Sequence, residues 1–353
     1  MRLVRMCHSN VANIIFLLSK YCRFNFTNFK VKKMLKRVVV FVMLLSVCAS
    51  QEEPQADTTL LVMVEDSQEK FDFRKFDYCS INENCMHKGD KHSACDCKIR
   101  PPRTYVLDDI IQFRQDIIDK HNELRNMFAS GNEPNEHLNG KTASNMMVLN
   151  YDSELEHIAK CYGGYFEKGH DTCRHTHDKA YTGQNVAGTG LKTANAHIEN
   201  IERWYNEVEF VDSADSLVEP FKGLATPAGR VIGHFTQVVW ASMYRVGCAR
   251  IWNPENTVTV VGVYKYALIC NYKARPGGSN ANVQGAHIFV EGEPCTKCPL
   301  NTTCNDKYTF LCGKHNPAPT DPGMEMSTDK ESERLVPSQI ISLCALVALS
   351  YFW

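Results

Sequence analysis

Acidic residues are missing from the first fifty positions, and charge of either sign is missing after Arg334. The apolar runs are confined to those two ends, which excludes a chain-wide transmembrane architecture, since each span takes about 20 apolar residues. Neither GxSxG nor HExxH occurs, so the common serine-hydrolase elbow and zinc-protease helix are absent. The formal net charge of -1 is an average over an uneven chain of 353 residues. Residues 1–50 carry nine Lys/Arg, leaving 30 basic against 40 acidic residues, about -10, for the rest. A chain of that sign lacks the basic face that nucleic acid demands.

The basic start reads as targeting sequence, residues 1–50 in all. Met34-Leu35-Lys36-Arg37 and Val38–Val47 give a charged and then an apolar region, and Val47-Cys48-Ala49 resembles a small-residue cleavage site. Residues 51–76 begin as an acidic, flexible leader. At the far end, residues 335–353 form a hydrophobic tail behind small residues and a polar spacer. That pattern fits a GPI-attachment signal, with a retained membrane anchor as the alternative.

Sixteen cysteines, about 4.5% of the chain, are many for a cytosolic enzyme. Removing Cys7, Cys22, Cys48 and Cys344 with the ends leaves twelve, between Cys79 and Cys312. An even number behind a signal peptide implies six disulfides and a secreted, extracellular protein. Cys295-x-x-Cys298 has no second CxxC or HxxxH at zinc spacing, so bridges are favoured over a zinc site there.

Between these ends, Ile110, Ile111, Ile117, Ile118, Leu124 and Phe128 recur at helical spacing behind Asp108, with Gly131 as the stop. Tyr151–Phe166 and Asn195–Val208 read as two further helices. Phe235–Trp240, Val246–Trp252 and Thr257–Ile269, rich in β-branched and aromatic residues, read as strands. This mixture indicates an α+β domain. A small cysteine module (291–313) and a Pro-rich stalk (314–334) follow it. Asn301-Thr302-Thr303 is a glycosylation sequon at Asn301 in that module.

Gly233-His234-Phe235-Thr236-Gln237-Val238-Val239-Trp240 matches the GH[YF]TQ[MV]VW signature of the CAP superfamily: cysteine-rich secretory proteins, antigen 5 and pathogenesis-related 1. Cys270-Asn271-Tyr272 opens a second signature, which then diverges, and His121-Asn122-Glu123-Leu124-Arg125 resembles the HNxxR helix. The N-terminal cysteines, His170-Asp171-Thr172-Cys173-Arg174 and Gly183-Gln184-Asn185-Val186-Ala187 resemble the arthropod antigen-5-like, or venom allergen-like, branch. The resemblance covers residues 77–290 and implies an α-β-α sandwich with a central cleft. It also implies the bridges Cys79–Cys95, Cys85–Cys173 and Cys248–Cys270. Where antigen 5 has a further cysteine this chain has Phe166, while Cys161 lies five residues, about 1.4 helical turns, earlier. A relocated Cys97–Cys161 bridge is therefore expected. The pairing among Cys295, Cys298, Cys304 and Cys312 stays open.

The resemblance further implies a cleft tetrad of two histidines and two acids. Carried over residue by residue, these are His170, His234 and Glu207, with Gln184 replacing the second acid. Imidazoles can ligate a divalent cation such as zinc, so His170 and His234 are candidate metal ligands, although no cofactor is required. Two such ligands and an amide fall short of the usual three-ligand catalytic zinc. A glutamine also cannot serve as general base. No catalytic residue is assigned. Thr236 and Gln237 are expected to fix the cleft wall by hydrogen bonding.

The expected function is therefore non-enzymatic binding of a small hydrophobic ligand such as a sterol, fatty acid or other mediator. Aromatic candidates for the pocket are Phe128, Phe166, Tyr181, Phe210 and Phe221, each equally suited to a core. The alternatives are a venom or salivary allergen acting on a host protein, and a metal-dependent hydrolase, which Gln184 disfavours.

Overall fold

A buried arginine and a twisted sheet organise the computed structural model, which describes residues 72–191, 193–256 and 264–321. The targeting sequence, most of the acidic leader and the hydrophobic tail lie outside these residues. Helix α1 is Ile110–Ala129, α2 Ser153–Gly163, α3 Ala196–Tyr205, α4 Asp215–Val218 and α5 Gly233–Val239. The strands are β1 Thr104–Tyr105, β2 Asn150–Tyr151, β3 Gly183–Thr189, β4 Met243–Trp252 and β5 Tyr266–Ala274. They join in the order β1-β4-β5-β3, antiparallel throughout, with β2 parallel to β4 beside β1.

Alternation along the strands gives the sheet two apolar faces. Ala249, Ile251, Ala267 and Ile269 meet Ala159 and Tyr162 of α2 in one cluster. Cys248, Leu268, Cys270 and Tyr272 join the larger cluster with residues of α1, α3 and α5. Helices thus cover both faces, and the α-β-α sandwich of mixed α+β class is what forms. Asp152 starts α2 as an N-cap, its Oδ1 accepting from the amides of Glu154 and Leu155.

The HNxxR helix supplies the frame. His121 bonds the Ile117 carbonyl through Nδ1 and the Tyr272 hydroxyl through Nε2. Asn122 donates to the Leu149 carbonyl and accepts from the Leu149 amide. Arg125, fully buried, donates to the carbonyls of Met147, Val238, Trp240, Ala241 and Met243 at 2.6–3.4 Å. Its five N–H donors match carbonyls gathered from the approach to β2, the end of α5 and the start of β4. A cation at that C-terminus also complements the helix dipole.

Two expectations change. Phe235–Trp240 is not a strand; most of it lies in α5. Its Val and aromatic residues favour strands only weakly, and here both ends of the helix are held by charged side chains, as shown below. The last strand begins at Tyr266, with 257–263 outside the described residues, and continues to Ala274. β3 was not foreseen: Gly183-Gln184-Asn185-Val186-Ala187-Gly188-Thr189 has poor strand propensity, and its pairing with β5 overrides that.

Six disulfides form among the described residues. Cys79–Cys95, Cys85–Cys173, Cys248–Cys270 and the relocated Cys97–Cys161 are as expected. The open pairing resolves as Cys295–Cys304 and Cys298–Cys312. The cysteine module is anchored to α1 through Lys307 and Tyr308, both 2.7 Å from Asp119. The chain beyond it continues along the same helix, with Arg114 donating to the carbonyls of Pro319 and Asp321.

Two outcomes check this frame. Arg125→Leu strands several buried carbonyls and should cost at least ~3 kcal/mol in urea unfolding; a loss under ~1 kcal/mol would contradict its role. Burial lowers His121 to about 4. Its ordinary pKa is ~6.5, so unfolding takes up a proton in between. The stability is therefore intact above pH ~6.5 and falls by up to ~1.4 kcal/mol per unit as pH drops towards 4. In the His121→Gln variant this part of the pH dependence should vanish, and an unchanged slope would refute the assignment.

Candidate functional site

Between the start of β3, the His170 loop and the start of α5 lies a cleft of about 500 Å³. His170, Gln184 and His234 line it, together with Arg174, Tyr181 and Gln237. Three of the four tetrad positions therefore reach one cavity. The fourth, Glu207, stands directly behind His234.

Glu207 lies in the 3-10 turn Asn206–Phe210 that continues α3. Its Oε2 accepts from the amides of His234 and Phe235 at 2.8 and 3.1 Å, and its Oε1 from His234 Nδ1 at 2.6 Å. One carboxylate thus caps the first turn of α5 and orients the imidazole. The Trp204 ring stacks on His234 with centroids 6.4 Å apart.

His170 is set by a relay of amides. The Leu155 carbonyl accepts from Asn271 Nδ2, so Asn271 Oδ1 faces Gln184 and accepts from its Nε2 at 3.0 Å. Gln184 Nε2 also donates to Asp171 Oδ1 at 2.9 Å. Gln184 Oε1 is then left to accept from His170 Nδ1 at 2.8 Å. Both histidines are thus held through Nδ1, His170 on an amide oxygen and His234 on a carboxylate. Burial lowers the His170 pKa, with Arg174 and His234 adding to it against the Gln184 bond. The ring is neutral at pH 7.

Asp171 explains the amide at position 184. Its carboxylate is paired with Arg174 at 2.7 Å and bonded by Ser93, and a second carboxylate there would face it directly. What the arrangement offers chemically is two imidazoles, a buried ion pair and amides. It has no aligned nucleophile and base. The two Nε2 atoms are the available ligands for a divalent cation. Among the described residues, the groups of three His, Cys, Asp or Glu donors within 4.8 Å of one another all contain disulfide cysteines and exclude both cleft histidines.

Thr236 Oγ1 lies 3.1 Å from the Ile232 and Gly233 carbonyls and 2.5 Å from Asn282 Oδ1, consistent with a wall-fixing role. Gln237 does not behave so. It is 2% exposed, lines the cleft, and its Nε2 has no hydrogen-bond partner. Gly183 leaves room for it, since a Cβ there would stand 2.0 Å from Gln237 Oε1. Of the five aromatic candidates, only Tyr181 lines this cleft. Phe128, Phe166 and Phe221 are core residues, and Phe210 lines a separate pocket beside α1. The rim residues Met86, Leu224, Val231, Val283 and Asn282 were missed. They come from three separate segments, and no local pattern joins them.

A sequence model of the CAP: Cysteine-rich secretory protein family matches residues 118–272. A venom allergen 5 of Vespula maculifrons is 33% identical over 223 residues, covering 60% of this chain and 98% of that protein. The chain belongs to the CAP family. Venom allergen 5 proteins and a cysteine-rich venom protein of arthropods are among its relatives. A cysteine-rich venom protein of Tityus serrulatus is 30% identical over 67% of this chain and 56% of its own length. This CAP protein thus spans about half the length of that relative. A solved structure of Na-ASP-1 aligns over 57% of this chain and 46% of its own, at 27% identity and TM-score 0.44. The six disulfides of this CAP protein fit an extracellular setting.

Replacing Gln184 tests the relay. In Gln184→Glu the introduced acid faces Asp171 and its pKa is raised by like charge and burial. The variant should lose ~1–3 kcal/mol at pH 7.5 and recover part of it at pH 5, where the acid takes up a proton. Thermal unfolding at both pH values checks this; equal losses would rule out a charge effect.

Proposed function

We propose that this is a secreted, non-enzymatic binding protein whose cleft takes a small hydrophobic ligand. One observation carries the reading. Among the described residues eight large apolar side chains are exposed, and four of them, Met86, Leu224, Val231 and Val283, line this one cleft. Apolar side chains gathered around a few fixed polar groups are the usual composition of a small-molecule site. Scattered exposed apolar residues would need no such explanation.

The same rim could instead be covered by a host protein, the mode suggested by the venom allergens among its relatives. Hydrolysis is the weakest reading, because Glu207 is committed to capping α5 and Gln184 is no base. A divalent cation held by His170 and His234 would have two imidazoles and is expected to bind weakly. Asn301 is exposed, as a glycosylated asparagine must be. GPI attachment concerns residues outside those described. No helix among the described residues is long and apolar enough to cross a membrane.

Native mass spectrometry of protein from its own tissue tests the reading. A co-purified lipid is expected, and Leu224→Glu with Val231→Glu should reduce its occupancy at least about tenfold while changing stability by only ~0.5 kcal/mol per site. A cleft that is empty and also rejects added sterol and fatty acid would remove the proposal.

A further inference from the structure

Residues 79–95 form a bridged segment that carries part of the cleft rim. Cys79–Cys95 closes it, and Cys85–Cys173 ties it to the loop of His170. Met86, next to the second bridge, lines the cleft. The segment's apolar docking is small: Tyr78, Ile81 and Ala94 cluster with Ile158 and Cys161 of α2. A segment with so few buried apolar contacts opens at low cost, so its polar contacts decide whether it stays closed.

The central polar contact is His92, which is 1% exposed. Its Nε2 lies 2.7 Å from the His175 carbonyl, which can only accept, so that nitrogen carries the proton. Its Nδ1 takes the Ala94 amide at 3.0 Å, so that nitrogen does not. The ring stacks on Tyr78 with centroids 4.9 Å apart. Beside it the Ser93 amide donates to the Cys173 carbonyl. The geometry admits only the neutral ring, because a second proton would point at the Ala94 N–H.

The surrounding charges do not favour a cation there. Asp171, the acid that faces His92, is already paired with Arg174 at 2.7 Å and bonded by Ser93 and Gln184. His175 and His157, the other titratable rings around it, can add only positive charge. Glu154 of α2 is taken by Tyr78 and His177. Burial lowers the His92 pKa, against the carbonyl bond and Asp171.

We propose that His92 is an acid-sensitive latch: its protonation releases the Ala94 amide and loosens residues 79–95, freeing Met86 from the cleft rim while the disulfides keep the segment attached. On the reading that the cleft holds a ligand, acidification is the signal that releases it. The opened segment takes up its proton at the ordinary imidazole pKa of ~6.5. The latch is therefore intact above that pH and weakens as pH falls below it, until the closed form is protonated too.

NMR-detected amide exchange of the intact, disulfide-bonded protein without ligand tests the latch independently of what the cleft binds. Protection factors of Ser93 and Ala94 should fall about tenfold between pH ~7 and ~5. They should also stay below that of Leu149, whose amide belongs to the frame. His92→Asn keeps an acceptor for the Ala94 amide and cannot titrate, so the fall should shrink to under about twofold. Three results each overturn the latch and leave the cleft reading standing: protection unchanged with pH, a fall that persists in His92→Asn, or Ala94 as protected as Leu149. Should His92→Asn not fold, His92→Gln, which keeps the donor to His175, supplies the same comparison. Should neither fold, the comparison of Ala94 with Leu149 at both pH values in the unaltered protein decides.

Discussion

Arg125 is the constraint on which the rest depends. A guanidinium without a carboxylate partner, fully buried, is expensive, and burial pulls its pKa down to about 9. It remains charged at neutral pH because five backbone carbonyls from the β2 approach, the end of α5 and the start of β4 converge on it. The same segments also meet through the β2–β4 pairing and the Met147 amide on the Ala241 carbonyl, so the arginine reinforces a junction the backbone already makes. The single side chain fixes where α5 stops and where the central strand begins, and with them one wall of the cleft.

The opposite end of α5 is fixed by a charge of the other sign. Glu207 takes the second and third amides of the helix and the His234 ring together. A seven-residue helix would be marginal alone. Here an acid stands at its N-terminus and a base at its C-terminus, each where the dipole favours it. The residue that looks like half of a catalytic pair is thereby engaged in structure. The same holds for Gln184, which serves the orientation of His170 and the neutrality of the Asp171 environment. Both observations support the binding reading proposed for the cleft.

Much of this was legible from the sequence because the motifs encode side chains that bond backbone. The HNxxR spacing puts His121, Asn122 and Arg125 close together on α1, and all three serve the frame. The displacement of one cysteine to Cys161 was readable as a bridge because the count stayed even. What was not legible has a common cause. The helical state of Phe235–Val239 comes from caps 27 residues upstream and on another helix, and the strand at Gly183–Thr189 comes from pairing with β5. Neither is written in local propensity. Likewise the apolar rim assembles from Met86, Leu224, Val231 and Val283, which share no local pattern. Gln237 was expected to hold the wall, and its Nε2 instead lies buried without a partner.

The central claim is that Gln184 holds the His170 ring through its Nδ1. Long-range proton–nitrogen correlation spectra of ¹⁵N-histidine-labelled protein at pH 7.5 test it most directly. The account predicts His170 with its proton on Nδ1 and an unprotonated Nε2. A proton found on Nε2 of His170 instead would contradict it.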